Sequence, residues 1–143
     1  AYYAGVASNS FSKRKLLITI YLGRAIAITF FLSLPISTTS VLIFSAVMGF
    51  LWLATVPPTS SLVATFFGTR YMSFLYGIVF FSHQVGSFTG VWLGGWLYEN
   101  FGSYDRVWIA GIVLGLIAAI LHFYIREDSY HDKLQTYERL THE

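Results

Sequence analysis

The chain has 143 residues, of which 55% are hydrophobic and only 11% are charged, whereas soluble domains carry about 25% charged residues. This composition excludes an ordinary soluble domain, because so many apolar side chains could not be hidden from water. The formal charge of +2 is too small to indicate a nucleic-acid-binding protein, and the lack of cysteine excludes disulfides and thiolate metal sites.

Apolar residues fall in four blocks, each about long enough to cross a bilayer. The hydrocarbon core is about 30 Å thick and a helix rises about 1.5 Å per residue, so a span needs about 20 mostly apolar residues. We therefore predict an all-α, polytopic transmembrane helical bundle with four spans, at about 16–34, 38–56, 74–97 and 107–125. The transmembrane domain is then 16–126. Residues 1–15 precede it as the end of an earlier helix and a basic loop, and 127–143 follow it as a polar tail.

Positive charges give the predicted spans a direction. Seven of the nine Lys and Arg residues lie on one side of the membrane in this arrangement: Lys13, Arg14, Lys15, Arg70, Arg126, Lys133 and Arg139. The positive-inside rule assigns that side to the cytoplasm. We expect a multi-pass protein of the plasma or inner cell membrane, with a cytoplasmic C-terminus and the lipid bilayer as its surroundings.

Prolines and a glycine mark breaks between the blocks. Pro35 ends the first block, and residues 36–40 form a short outer turn that makes blocks one and two an antiparallel hairpin. Pro57-Pro58 lies near the inner end of block two. Residues 60–67 are predicted as a kinked continuation of that helix ending at Gly68, with an interfacial segment as the alternative.

Small residues recur four apart in blocks three and four. Residues at this spacing share one helix face, so another helix backbone can approach them closely. We predict a tight packing seam along Ser82, Gly86, Gly90 and Gly94, and a second, weaker seam at Gly111 and Gly115. A glycine ridge that slides during a conformational cycle is the functional alternative.

Arg24 lies near the middle of block one. A guanidinium at this depth costs about 2.5–3.5 kcal/mol on insertion scales, so it should face protein or water and have a partner. No acidic residue lies within the four blocks. Arg24 is therefore a candidate for binding an anionic substrate, and the alternative is a structural clamp on helix-end carbonyls or on a carboxylate elsewhere.

Other polar and aromatic side chains in the spans are candidates for a binding cavity. His83 can carry a proton near neutral pH, and Gln84 offers a donor and an acceptor; interhelical hydrogen bonding is the alternative. Trp52 and Phe50 could line an apolar cavity in block two. The sequence holds no arrangement typical of an enzyme, so we expect no catalytic residues, cofactor or metal.

Two stretches resemble a known family. Gly5 followed by Lys13, Arg14 and Lys15 is similar to the cytoplasmic motif of the major facilitator superfamily, in its degenerate copy between helices eight and nine. The stretch from Phe67 to Tyr104, with its Gly-Gly-Trp-Leu-Tyr-Glu-Asn-Phe-Gly-Ser-Tyr ending, resembles the eleventh helix and following loop in the monocarboxylate and oxalate–formate transporter-like branch.

The resemblance implies that the four blocks are helices nine to twelve of a C-terminal half, with the N-terminal helices of the same transporter as their partners. In this fold block two lines the cavity, block three flanks it, and blocks one and four are peripheral, which favours Trp52, Phe50, His83 and Gln84 over Arg24. The implied function is secondary active transport of a small organic anion such as a monocarboxylate by alternating access, with a proton as candidate coupling ion. The alternative is a stand-alone four-helix membrane scaffold or accessory subunit.

Overall fold

The computed structural model describes residues 11–127 and forms five α-helices over this range. These are α1 (Lys13–Ser33), α2 (Thr38–Leu53), α3 (Val56–Phe67), α4 (Met72–Phe101) and α5 (Asp105–Phe123). No strand occurs in the described part of the chain. The predicted all-α fold class is confirmed.

Helices α1 and α2 form a hairpin joined by residues 34–37. Leu34 has extended backbone angles (φ −98°, ψ 151°), because the ring of Pro35 disfavours helical geometry in the residue before it. Ser37 then caps α2: its hydroxyl accepts the Ser40 N–H (3.1 Å), and the Ser40 hydroxyl accepts the Ser37 N–H (2.9 Å). This reciprocal capping box satisfies two backbone donors at the start of α2.

Removal of the Ser37 hydroxyl should destabilise the start of α2. We expect Ser37→Ala to lower the stability of the detergent-solubilised full-length protein by about 1 kcal/mol, the usual cost of losing such a cap. Ser45→Ala, in the interior of the same helix, is the control and should have little effect. Thermal unfolding followed by circular dichroism measures both; equal midpoints for the two variants would show that the cap contributes nothing.

A kink separates α2 from α3. Helix α2 ends at Leu53, and α3 has its two prolines in its first turn. The N–H groups of a first turn have no intrahelical acceptor, so prolines there cost no hydrogen bond. The predicted helical continuation is confirmed. It ends as predicted at Gly68, whose φ of 72° is a left-handed value that glycine adopts without steric cost.

Three helical segments within residues 11–127 are long and apolar enough to cross a membrane: Lys13–Ser33, Thr38–Phe67 and Asp105–Phe123. Helix α4, at 30 residues, is long enough, but its mean hydropathy is lower than that of these three segments. Its apolar run is interrupted by Ser82, His83 and Gln84 and diluted by glycines, so a membrane crossing by α4 stays a prediction.

Helix α1 is the centre of the described bundle. It packs most extensively against α5 and also contacts α2 and α3, and it buries Leu17, Ile20, Ala25 and Ile28. Helix α4 contacts only α3 and α5 to an appreciable extent and buries a single residue, Gly94. Helix α1 thus buries more residues than any other helix of residues 11–127, and the peripheral position that the resemblance implies for block one stays a prediction.

Candidate functional site

Among the residues that the structure describes, Arg24 contacts aromatic side chains and no carboxylate. Its Cζ lies 4.5 Å from the ring centroid of Trp52 on α2 and 5.8 Å from that of Tyr21, one turn earlier on α1. A cation over an aromatic face is attracted by the ring quadrupole, and this attraction is strongest where water is excluded. Trp52 therefore supplies part of the stabilisation that a guanidinium in the middle of a span requires.

Trp52 also contacts α4. Its ring centroid lies 6.0 Å from that of His83, with the planes inclined at 66°, and the Phe80 ring centroid lies 6.2 Å from that of His83. Three of the five predicted site residues thus form one chain of contacts across α1, α2 and α4. We call Arg24, Trp52 and His83 the aromatic array.

The other two candidates lie outside the aromatic array. Phe50 is 63% exposed on α2, and Gln84 is exposed on α4. Sequence reasoning missed Tyr21 and Phe80. Each lies three residues before its polar partner on the same helix, a spacing that places two side chains side by side and could have identified both.

The two predicted glycine seams have different surroundings. A methyl group added at Gly115 would lie 3.5 Å from the Tyr21 carbonyl oxygen and 3.6 Å from the Ala25 Cβ, and one at Gly111 would lie 3.6 Å from Ile28. A methyl group added at Gly86 or Gly90 would have no atom of another described helix within 4 Å. Of the two predicted seams, the one on α5 therefore lies close to another helix, α1, in the described residues.

The two end residues of the α4 seam, Ser82 and Gly94, differ in whether another described helix lies beside them. The Ser82 hydroxyl donates to the Ile78 carbonyl of its own helix (3.0 Å), and only at Gly94 does another helix come close, through Val107 of α5 at 3.9 Å. A packing role for Ser82, Gly86 and Gly90 stays a prediction that requires a partner outside the described residues.

Residues 1–141 match the family model of the Major Facilitator Superfamily. The chain belongs to this superfamily. None of the curated proteins and none of the solved structures matches it. Membership together with the three apolar helical segments makes the protein a multi-pass membrane transporter whose surroundings are the lipid bilayer.

The basic loop of this Major Facilitator Superfamily member is described only in part. Gly5 lies outside the described residues, whereas Lys13, Arg14 and Lys15 form the first turn of α1. Arg14 donates to backbone carbonyls at the end of α5, at Phe123 (3.4 Å) and Ile125 (3.3 Å). One of the three basic residues therefore joins two helix ends.

Acidic and metal-ligating side chains are sparse in the part of the transporter that the structure describes. No group of three or more His, Asp or Glu residues there could hold a metal ion. The acids of residues 11–127 all lie at helix ends: Glu99 in the last turn of α4, Asp105 at the start of α5, and Glu127 after α5. None of them lies at the mid-span position of Arg24.

Proposed function

We propose that this transporter moves a small organic anion, such as a monocarboxylate, by alternating access, and that Arg24 binds the anionic group. The observation that carries the proposal is the contact of the Arg24 guanidinium with Trp52 in the middle of α1. Arginine with an aromatic neighbour keeps N–H donors at the edge of its guanidinium, and their fork matches the two oxygens of a carboxylate.

None of the acids within residues 11–127 lies at the depth of Arg24, which supports this role. Glu127, which follows α5, accepts hydrogen bonds from Ser12 and Arg14. Glu99 lies in the last turn of α4 and Asp105 at the first residue of α5. A bound carboxylate would supply the countercharge that no described residue offers. The resemblance to carriers of monocarboxylates and oxalate points to the same class of substrate.

His83 is proposed as the proton-carrying group. It lies on α4 against Trp52, so its imidazole and the Arg24 guanidinium contact the same indole from different helices. Imidazole gains and loses a proton near neutral pH, and a change of charge beside the anion site would link proton movement to anion movement. Alternating access would then rock the helices around this mid-membrane position.

Uptake measurements on the reconstituted full-length protein test the proposal. We expect labelled monocarboxylates to enter proteoliposomes faster under an inward proton gradient, and labelled dicarboxylates to enter more slowly. His83→Ala should abolish the effect of the gradient, whereas Thr89→Val should preserve it, because the Thr89 hydroxyl donates to the Val85 carbonyl of its own helix (2.8 Å). Failure of every carboxylate to enter would contradict the substrate class, and an intact gradient effect in His83→Ala would remove its role.

A further inference from the structure

Two grooves flank the half of α1 that runs from its middle to the α1–α2 turn. The groove between α1 and α5 has a volume of about 280 Å³, and its walls include Leu22, Thr29, Ser33, Ile112 and Leu116. The groove between α1 and α2 has a volume of about 340 Å³, and its walls include Gly23, Ala27, Leu34, Ile43 and Val47. We call them the α5-side groove and the α2-side groove.

Ile26 and Phe30 line both grooves. They lie one turn apart on α1, and their side chains are 66% and 64% exposed. These two residues therefore form a ridge, which we call the α1 ridge, and the ridge is the wall that the two grooves share. A molecule with two arms can occupy both grooves at once by lying across it.

The walls of both grooves are apolar. Their only polar side chains are the hydroxyls of Thr29, Ser33 and Ser40, and each of these donates to a backbone carbonyl of its own segment at 2.8–2.9 Å. Arg24 lines neither groove. A hydrocarbon chain would leave no hydrogen bond unmade there, whereas a carboxylate would find no free side-chain donor.

The depth of the grooves matches one leaflet of a bilayer. From Leu22, at the middle of α1, to Ser33, at its end, the helix rises about 16 Å, which is about half of a hydrocarbon core of about 30 Å. Packed helices have axes about 8–10 Å apart, and a helix with its side chains is about 10–12 Å across. A third helix can therefore rest on the ridge but cannot enter either groove, whereas an acyl chain is thin enough to do so.

We propose that a two-chain lipid binds astride the α1 ridge, with one acyl chain in each groove and its headgroup at the level of the α1–α2 turn. The bilayer that surrounds this transporter presents such a lipid at this depth, so the grooves continue the surface that contacts lipid. No charged side chain lines either groove, so recognition is through the two chains and not through the headgroup. This lipid site goes beyond the proposed transport activity and does not depend on it.

Photocrosslinking identifies what lies on the ridge. We place p-benzoylphenylalanine at the position of Phe30 in the full-length protein, reconstitute it in vesicles of dioleoyl phosphatidylcholine, and irradiate. We expect the main adduct to have the mass of one dioleoyl phosphatidylcholine molecule. A main cross-link to another segment of the transporter, or to a second copy of it, would overturn the proposal.

Lipid titrations followed by native mass spectrometry test the two-groove geometry. The delipidated full-length protein in detergent should bind dioleoyl phosphatidylcholine more tightly than the single-chain lyso-oleoyl phosphatidylcholine. Phe30→Ala removes the shared wall and should weaken two-chain binding about tenfold. Ala27→Phe fills the α2-side groove and should abolish the preference for two chains. Phe88→Ala, which truncates an exposed phenylalanine on α4, should bind as the parent does.

Three results would contradict the lipid site. These are equal binding of the two-chain and single-chain lipids by the parent, unchanged binding in Phe30→Ala, and a preference for dioleoyl phosphatidylglycerol over the phosphatidylcholine with the same chains. Circular dichroism of each variant checks that its helix content is retained, as expected for a side chain as exposed as Phe30. None of these measurements depends on transport, so failure of the lipid site and failure of the proposed function are separate results.

Discussion

Arg24→Ala is expected to reduce carboxylate uptake by about 30-fold or more at subsaturating substrate. Truncating one partner of a buried, hydrogen-bonded charge pair costs about 2–5 kcal/mol, and each 1.4 kcal/mol is about a tenfold change in affinity. Arg24→Lys should have an intermediate effect, because an ammonium keeps the charge but lacks the planar fork and stacks less well on Trp52. Initial uptake rates over a range of monocarboxylate concentrations measure both variants.

Arg106 offers a matched control for this experiment. Its guanidinium also lies over an aromatic ring, that of Phe101 at 3.4 Å, but it is exposed in the first turn of α5. We expect Arg106→Ala to transport at nearly the parental rate. Parental uptake by Arg24→Ala at equal protein density in the vesicles would remove Arg24 from the site. An equal loss in both variants would indicate a general effect of removing positive charge.

Gly115→Leu is expected to destabilise the protein strongly, whereas Gly115→Ala should be tolerated. The added methyl of alanine would meet Tyr21 and Ala25 at 3.5–3.6 Å, which is ordinary van der Waals contact, and alanine gains up to about 1 kcal/mol over glycine inside a helix. The further carbons of leucine have no room against the α1 backbone. Overpacking of this kind costs about 1–3 kcal/mol.

Thermal unfolding of the detergent-solubilised full-length protein distinguishes the two variants. The alanine variant should unfold at or slightly above the parental midpoint, and the leucine variant several degrees below it or not fold at all. A leucine variant as stable as the parent would show that α1 and α5 do not pack closely at Gly115. A strongly destabilised alanine variant would show that the helices pack more closely than the described distances allow.

Helix boundaries were the most predictable part of this fold, because they depend on a few neighbouring residues. Pro35 and Gly68 end helices through constraints on their own backbone and that of the preceding residue, and both ends were predicted from the sequence. Block three is less apolar than the other spans, because the adjacent His83 and Gln84 lower its mean hydropathy.

Partners between helices were much less predictable. Arg24 was identified from its depth in the span, but its contact with Trp52 depends on how α1 and α2 are rotated about their axes. Helices that are apolar on every side carry no periodic pattern that sets this rotation. The contact between Ser12 and Glu127 joins residues 115 positions apart. Nothing local to either residue indicates the other, although both lie in polar stretches beside a span.

The four-residue connection between α1 and α2 bears on how the protein enters the membrane during synthesis. A helix with arginine at its centre is costly to insert alone, by about 2.5–3.5 kcal/mol for that residue. Because residues 34–37 form a tight turn, α2 follows α1 directly and brings Trp52 within 4.5 Å of the Arg24 guanidinium. Because the contact with Trp52 offsets part of this cost, we expect the two helices to enter the membrane together as a hairpin.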